Sequence, residues 1–139
     1  MVTSKKLVVI LDDEFGSEGI NFEKILETTQ NLTKDATIEI KAFSDPVDCF
    51  KFVEENKSLV AMVISDFVMP CIDGISFLQE IDQLDKNIKC VLMSGFDDIN
   101  RFKKHKNLFA VIEKDLELNE SIAKLLNSLN ENKQQTASN

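Results

Sequence analysis

The sequence predicts a single α/β domain, a three-layer sandwich in which a five-stranded parallel sheet carries helices on both faces. Three observations lead there. Five short β-branched or apolar runs alternate with longer stretches of helical periodicity, the pattern of strands joined by crossover helices. No internal repeat and no Gly/Ser-rich linker divides the chain. Its 139 residues, 43% hydrophobic and 29% charged, match one soluble domain. At this size roughly 68% of the unfolded surface can be buried, so a core holds without disulfides or structural metal.

The strands fall at residues 7–11, 37–42, 60–65, 88–93 and 108–112. Between the first two, Phe22, Ile25, Leu26 and Thr29 recur at i, i+3, i+4 and i+7 and give one helix face. Asp45-Pro46 reads as N-cap and first helical residue of a second helix through Val47, Phe50 and Val53. Ile75, Leu78 and Ile81 supply a third. A fourth, over 98–105, is short and polar, anchored by Ile99 and Phe102. The last opens at Asn119 as cap and carries Ile122, Leu125, Leu126 and Leu129 at helical spacing. The domain therefore spans residues 1–130. From 131 to 139 Ala137 is the one apolar residue, and the expectation is a frayed, disordered polar tail. The order is (βα)5, and right-handed crossovers with the common strand order 2-1-3-4-5 complete the fold.

Sixteen basic against twenty-four acidic residues leave a net charge of −8, which opposes binding to nucleic acid or an anionic membrane surface. Apolar runs such as 7–11 fall far short of a membrane span, and no signal-peptide core follows the first residues. The expectation is a cytoplasmic protein. Cys49, Cys71 and Cys90 are odd in number and lack CxxC spacing, so they read as reduced and mostly buried, without metal or redox work.

In open α/β sheets the ligand site lies beyond the carboxyl ends of the strands. Strand one ends in Asp12, Asp13 and Glu14, strand three in Asp66, strand four in Ser94 and Gly95, and strand five in Lys114. The predicted strand order gathers these ends. Carboxylates at one rim repel each other, and a hard divalent cation with oxygen ligands holds them ionised. Mg2+ suits this donor set, because it needs only one or two carboxylates with a carbonyl and waters. One oxygen of Asp66 then stays free to attack phosphorus. Lys114 is placed to hold a phosphoryl oxygen, and the Ser94 hydroxyl to donate to another. Taken alone, Asp12 to Glu14 would merely charge a helix start, and Lys114 would be a solvated cation. Their joint placement gives them weight, as does the loop in which Met69-Pro70 and Asp73-Gly74 frame the turn after Asp66.

With these residues the chain resembles the receiver domains of bacterial response regulators, the CheY-like superfamily of flavodoxin-like fold, from Lys6 to about Asn130. Its acidic pair is matched by Asp12 and Asp13. The phospho-accepting aspartate is matched by Asp66, and the D-x-x-M-P-x-x-D-G pattern by Asp66, Met69, Pro70, Asp73 and Gly74. Ser94 and Lys114 take the places of the family's hydroxyl and lysine. The resemblance implies Mg2+ held by Asp13, Asp66 and the backbone carbonyl of Val68, with Asp12 acting largely through water. It further implies phosphorylation of Asp66 by a partner histidine kinase or histidine phosphotransfer protein. Such a domain signals to a downstream protein target or an output domain and is not a turnover enzyme.

Departures from the pattern concern switching. Asp115 follows Lys114 where the family usually has proline, so no cis bond is expected there. Val111 stands where an aromatic is common, the Ser94-to-Lys114 interval is short, and extra length lies near residues 28–35. Phe109 shares strand parity with Val111 but sits two residues further from the rim. The expected mobile element is therefore the helix over 98–105. His105 reads as an exposed helix residue, the basic run 101–106 as a solvated face, and the ten Phe as core. Two other readings compete: a pseudo-receiver that binds protein without phosphorylation, and a small aspartyl-phosphate hydrolase of the haloacid dehalogenase type using Asp12. The latter wants D-x-D, whereas Asp12-Asp13-Glu14 offers D-x-E.

Overall fold

A computed structural model describes residues 5–13, 27, 31, 37–95, 101–102, 105, 107–115 and 117–138. Its elements are β1 (Lys6–Leu11), β2 (Ile38–Phe43), α1 (Pro46–Asn56), β3 (Val60–Asp66), α2 (Gly74–Leu84), β4 (Lys89–Ser94), β5 (Ala110–Glu113) and α3 (Leu118–Ser138). The strands form one parallel sheet of order β2-β1-β3-β4-β5, as the alternation of runs predicts. The helix expected over 22–29, and most of that over 98–105, lie outside the described residues, although Arg101 and Phe102 are helical.

Period-two alternation explains how the sheet sustains two cores. Leu7, Val9 and Leu11 of β1 point to one face, where they join Val63, Cys90 and Leu92, Val53 of α1, and Phe77, Leu78 and Ile81 of α2. Val8 and Ile10 point to the other, with Met62, Ile64, Val91, Met93 and Ile122, Leu126 and Leu129 of α3. Because β1, β3 and β4 are buried on both faces, they read as continuous apolar runs.

The helix starts follow from their caps. Asp45 accepts the Val47 amide at 2.8 Å ahead of Pro46, and Asp73 accepts the Ser76 amide at 2.8 Å ahead of Gly74. Each such cap contributes about 1 kcal/mol. Among the described residues, no helix is long and apolar enough to cross a membrane.

Several local expectations are corrected. Strand five begins at Ala110, so Phe109 lies outside it and strand parity does not govern its side chain. That ring is 44% exposed, with the Lys89 ammonium 5.2 Å from its centroid. The last helix begins at Leu118, with Asn119 inside it; ahead of the helix the Asp115 carboxylate accepts the Glu117 amide at 2.9 Å. The helical backbone continues to Ser138, through residues that composition assigned to a frayed tail; Glu, Lys and Gln there favour helix, and no Gly or Pro interrupts them. His105 is half-buried and not itself helical, its amide bonded to the Phe102 carbonyl at 3.0 Å. The cysteines agree with the expectation of a reduced and mostly buried set: all three are free, Cys49 and Cys90 buried and Cys71 exposed.

Candidate functional site

Register brings the polar strand ends together. Leu11 pairs with Ser65, so Asp12 and Asp66, each the next residue, emerge side by side. Asp66 pairs with Met93, one residue before Ser94, and Ser94 pairs with Glu113, one residue before Lys114. Backbone bonds extend this order past the strands: the Asp12 amide donates to the Phe43 carbonyl at 3.0 Å, and the Lys114 amide to the Ser94 carbonyl at 2.9 Å.

At this rim the Lys114 ammonium lies 2.8 Å from Asp12 Oδ2 and 3.4 Å from Asp66 Oδ1. Carboxylate oxygens of Asp12, Asp13 and Asp66 all fall within 4.8 Å of one another. Asp12, Asp66 and Ser94 are 2%, 4% and 2% exposed, so the charges meet where water screens them poorly. Burial pushes the Asp66 carboxyl up to about 6 from an ordinary 3.8; the Asp12 charge adds to this, Lys114 opposes it, and Asp13 adds a lesser part.

Three carboxylates against one ammonium leave a formal charge of −2 at this cluster. Among the described residues, Asp13 Oδ1 is buried with no hydrogen-bond donor. A buried carboxylate oxygen calls for a positive partner, and the cluster as a whole can hold a metal ion of the hard, oxygen-seeking kind. Asp12, Asp13, Asp66 and Lys114 are thus brought together, with Ser94 buried at the adjoining end of β4. Val68 lies on the loop that follows β3 and is 68% exposed.

The backbone of that loop is closely held. The Phe67 amide donates to the Met93 carbonyl at 2.9 Å and the Gly74 amide to the Phe67 carbonyl at 2.8 Å. A Cβ on Gly74 would stand 2.2 Å from the Asp66 carbonyl oxygen, so only glycine lets α2 start this close to β3. Met69 is buried and pins the loop to the core on the α2 face. Two features lay outside the sequence expectations. The Ser65 hydroxyl donates to the Asp66 carbonyl at 2.9 Å within the core. The Phe67 ring packs on that of Phe102, centroids 4.5 Å apart and planes tilted by 49°. A serine closing an otherwise apolar strand was the one available signal for the first; the second joins residues distant in sequence and had none.

A doubly wound sheet with an acid cluster and one lysine at the carboxyl ends of its strands defines the class of domain. The chain belongs to the response regulator receiver domain family, which its sequence matches over residues 21–127. It is thereby a module of two-component signalling. Solved structures agree in fold. The response regulatory domain of protein mrkE from Klebsiella pneumoniae superposes with a TM-score of 0.70 at 23% identity, covering 93% of this chain and 98% of that one. A CheY-like receiver domain protein from Methanospirillum hungatei gives 0.67 at 18% identity over 95% and 99%. A receiver domain protein from Clostridium thermocellum gives 0.65 at 20% identity over 90% and 97%. No curated protein matches the sequence.

Proposed function

We propose that this chain is a phosphoacceptor receiver whose Asp66 takes a phosphoryl group from a histidine kinase or histidine phosphotransfer protein. The observation that carries the proposal is the position of Asp66: buried at a central strand end, 3.4 Å from the Lys114 ammonium and within 4.8 Å of two further carboxylates. Mg2+ would be held by Asp13, Asp66 and the Val68 carbonyl, with Asp12 beside it, and would supply the positive charge that a phosphoryl group requires on entering an acidic cleft. An Asp66 carboxylate oxygen attacks phosphorus as the bond from phosphorus to the donor breaks. Lys114, now shared between Asp12 and Asp66, turns to a phosphoryl oxygen, and the Ser94 hydroxyl donates to another. Self-phosphorylation from a small donor and loss of the phosphoryl group to water complete the chemistry. The receiver is assigned to residues 1–130 and the cytoplasm.

Incubation with Mg2+ and acetyl phosphate should add one phosphoryl group by mass spectrometry. Asp66→Asn should abolish base-labile labelling, and Asp13→Ala or EDTA should suppress it. Equal labelling in Asp66→Asn would move the role to Asp12 and support the hydrolase reading. Absence of labelling in the wild type would favour a pseudo-receiver.

The signal is proposed to reach a protein target or output domain through the face formed by the 98–105 segment, β5 and the last helix. Phe67, bonded next to Asp66, supports this route, because its ring rests on buried Phe102. Val111 offers no ring for an aromatic switch in β5. Amide exchange with and without beryllofluoride should therefore change at Phe102 and His105. A change confined to Phe109 would refute this route.

A further inference from the structure

Asp66 lies one residue past the last β1–β3 pair, Leu11 with Ser65. Carbonyl directions alternate along a strand, and Asp66 pairs with Met93 through its neighbours, the Phe67 amide reaching the Met93 carbonyl. The Asp66 carbonyl is thus turned toward β1 at a level where that pairing has ended. Ser65 is wholly buried, and its hydroxyl donates to this oxygen at 2.9 Å. Gly74 closes on the same oxygen from the start of α2.

From this geometry we infer that Ser65 is a positioning residue for the phosphoacceptor site: its hydroxyl fixes the Asp66–Phe67 peptide, and with it the Asp66 side chain and the loop carrying the Val68 carbonyl. The inference rests on the phosphoacceptor reading of Asp66. A buried carbonyl with no donor would be driven to find one by rotating its peptide plane. That rotation moves the Asp66 Cα–Cβ bond on one side and the Phe67–Val68 backbone on the other. Fixing a reacting group in this way affects rate at saturation more than donor binding.

The test is phosphorylation of the full chain by acetyl phosphate, followed by mass spectrometry over a range of donor and Mg2+ concentrations, with thermal midpoints measured in parallel. Ser65→Ala should lower the saturating rate per folded molecule roughly three- to tenfold, the worth of one buried hydrogen bond. The half-saturating donor concentration should stay unchanged, and more Mg2+ should be required. Ser65→Cys, which keeps a polar side chain of similar volume but donates weakly, should follow alanine. A lowered midpoint with an unchanged rate per folded molecule would reduce Ser65 to a packing role and overturn the inference. A wild-type rate in Ser65→Cys would do the same, and that variant decides the matter where alanine fails to fold. Failure of the wild type to label overturns the phosphoacceptor reading and this inference with it. Labelling of the wild type with unaffected variants overturns this inference alone.

Discussion

Replacing Asp66 with asparagine should stabilise the metal-free protein at neutral pH, although it removes the residue on which the proposed chemistry depends. Asparagine conserves the volume and deletes a charge that meets Asp12 and Asp13 within 4.8 Å. The folded carboxyl titrates near 6 against an ordinary 3.8, burial being the largest cause. Above the folded value both folded and unfolded chains carry the charge, and the native state bears the whole cost. Below the unfolded value both are protonated and the cost is gone. Stability attributable to Asp66 therefore rises as pH falls through this window, opposite to a carboxylate held by a salt bridge. A difference of about 2 in pKa is worth ~3 kcal/mol. That figure already contains the attraction to Lys114, and the asparagine amide must find its own hydrogen-bond partners in the buried cluster, so a gain of about 1–2 kcal/mol is expected.

Urea denaturation in EDTA at about pH 7.5 and about pH 4 measures this difference. Asp66→Asn should have the higher midpoint at the first pH and lose most of its advantage at the second. Added Mg2+ should narrow or reverse the order, since an ion that binds the native state stabilises the wild type more. The reasoning is refuted if the variant is no more stable than wild type near neutrality, or if its gain persists undiminished in acid.

Lys114→Ala removes the ammonium 2.8 Å from buried Asp12 and should cost ~3 kcal/mol in EDTA, read from the urea midpoint and partly recovered by Mg2+. Gly74→Ala places a Cβ 2.2 Å from a backbone oxygen that cannot swing aside; a loss of about 2 kcal/mol is expected, together with slower labelling of Asp66. Burial pushes the Cys49 and Cys90 thiols up to about 12, whereas Cys71 is exposed. A chromogenic disulfide reagent should therefore find one fast thiol in the native chain and all three after denaturation. Three equally fast thiols would contradict the burial of the other two.

What the sequence made legible were features set by local chemistry. Runs such as Val8 to Leu11 announce strands because burial on both faces leaves no room for polar residues. Once the strand order is inferred, their last residues define a common rim, and so Asp12, Asp13, Asp66, Ser94 and Lys114 were readable as neighbours. Caps such as Asp45 before Pro46 are equally local. What stayed hidden depends on contacts across the fold. Phe109 sits where alternation continues in sequence but the strand has not begun, and no periodicity marks that boundary. The burial of His105, the packing of Phe67 on Phe102 and the closeness of Gly74 to Asp66 arise only when separate segments meet. Ser65 was hidden differently: a serine after an apolar run reads as the end of a strand, and its hydrogen bond depends on where the neighbouring strand stops.

The unfavourable electrostatics at the rim are tolerable because they are small beside what the sheet buries. Each fully buried Val, Leu or Ile contributes about 1.5–3 kcal/mol, and β1, β3 and β4 supply many such residues on two faces. Two or three of them offset the whole cost of ionising Asp66. The three strands also hold the backbones of Asp12, Asp66 and Ser94, so the carboxylates cannot relieve their repulsion by moving the main chain without breaking ladder pairs. That constraint leaves the relief to whatever brings positive charge. Lys114 provides part of it from the end of the shortest strand, closer to Asp12 than to Asp66. The remaining imbalance is stored in a rigid frame, and a cation that enters recovers it as binding free energy. Stability and occupancy of the site are consequently linked: the residues that make the metal-free domain less stable are those that would make it bind.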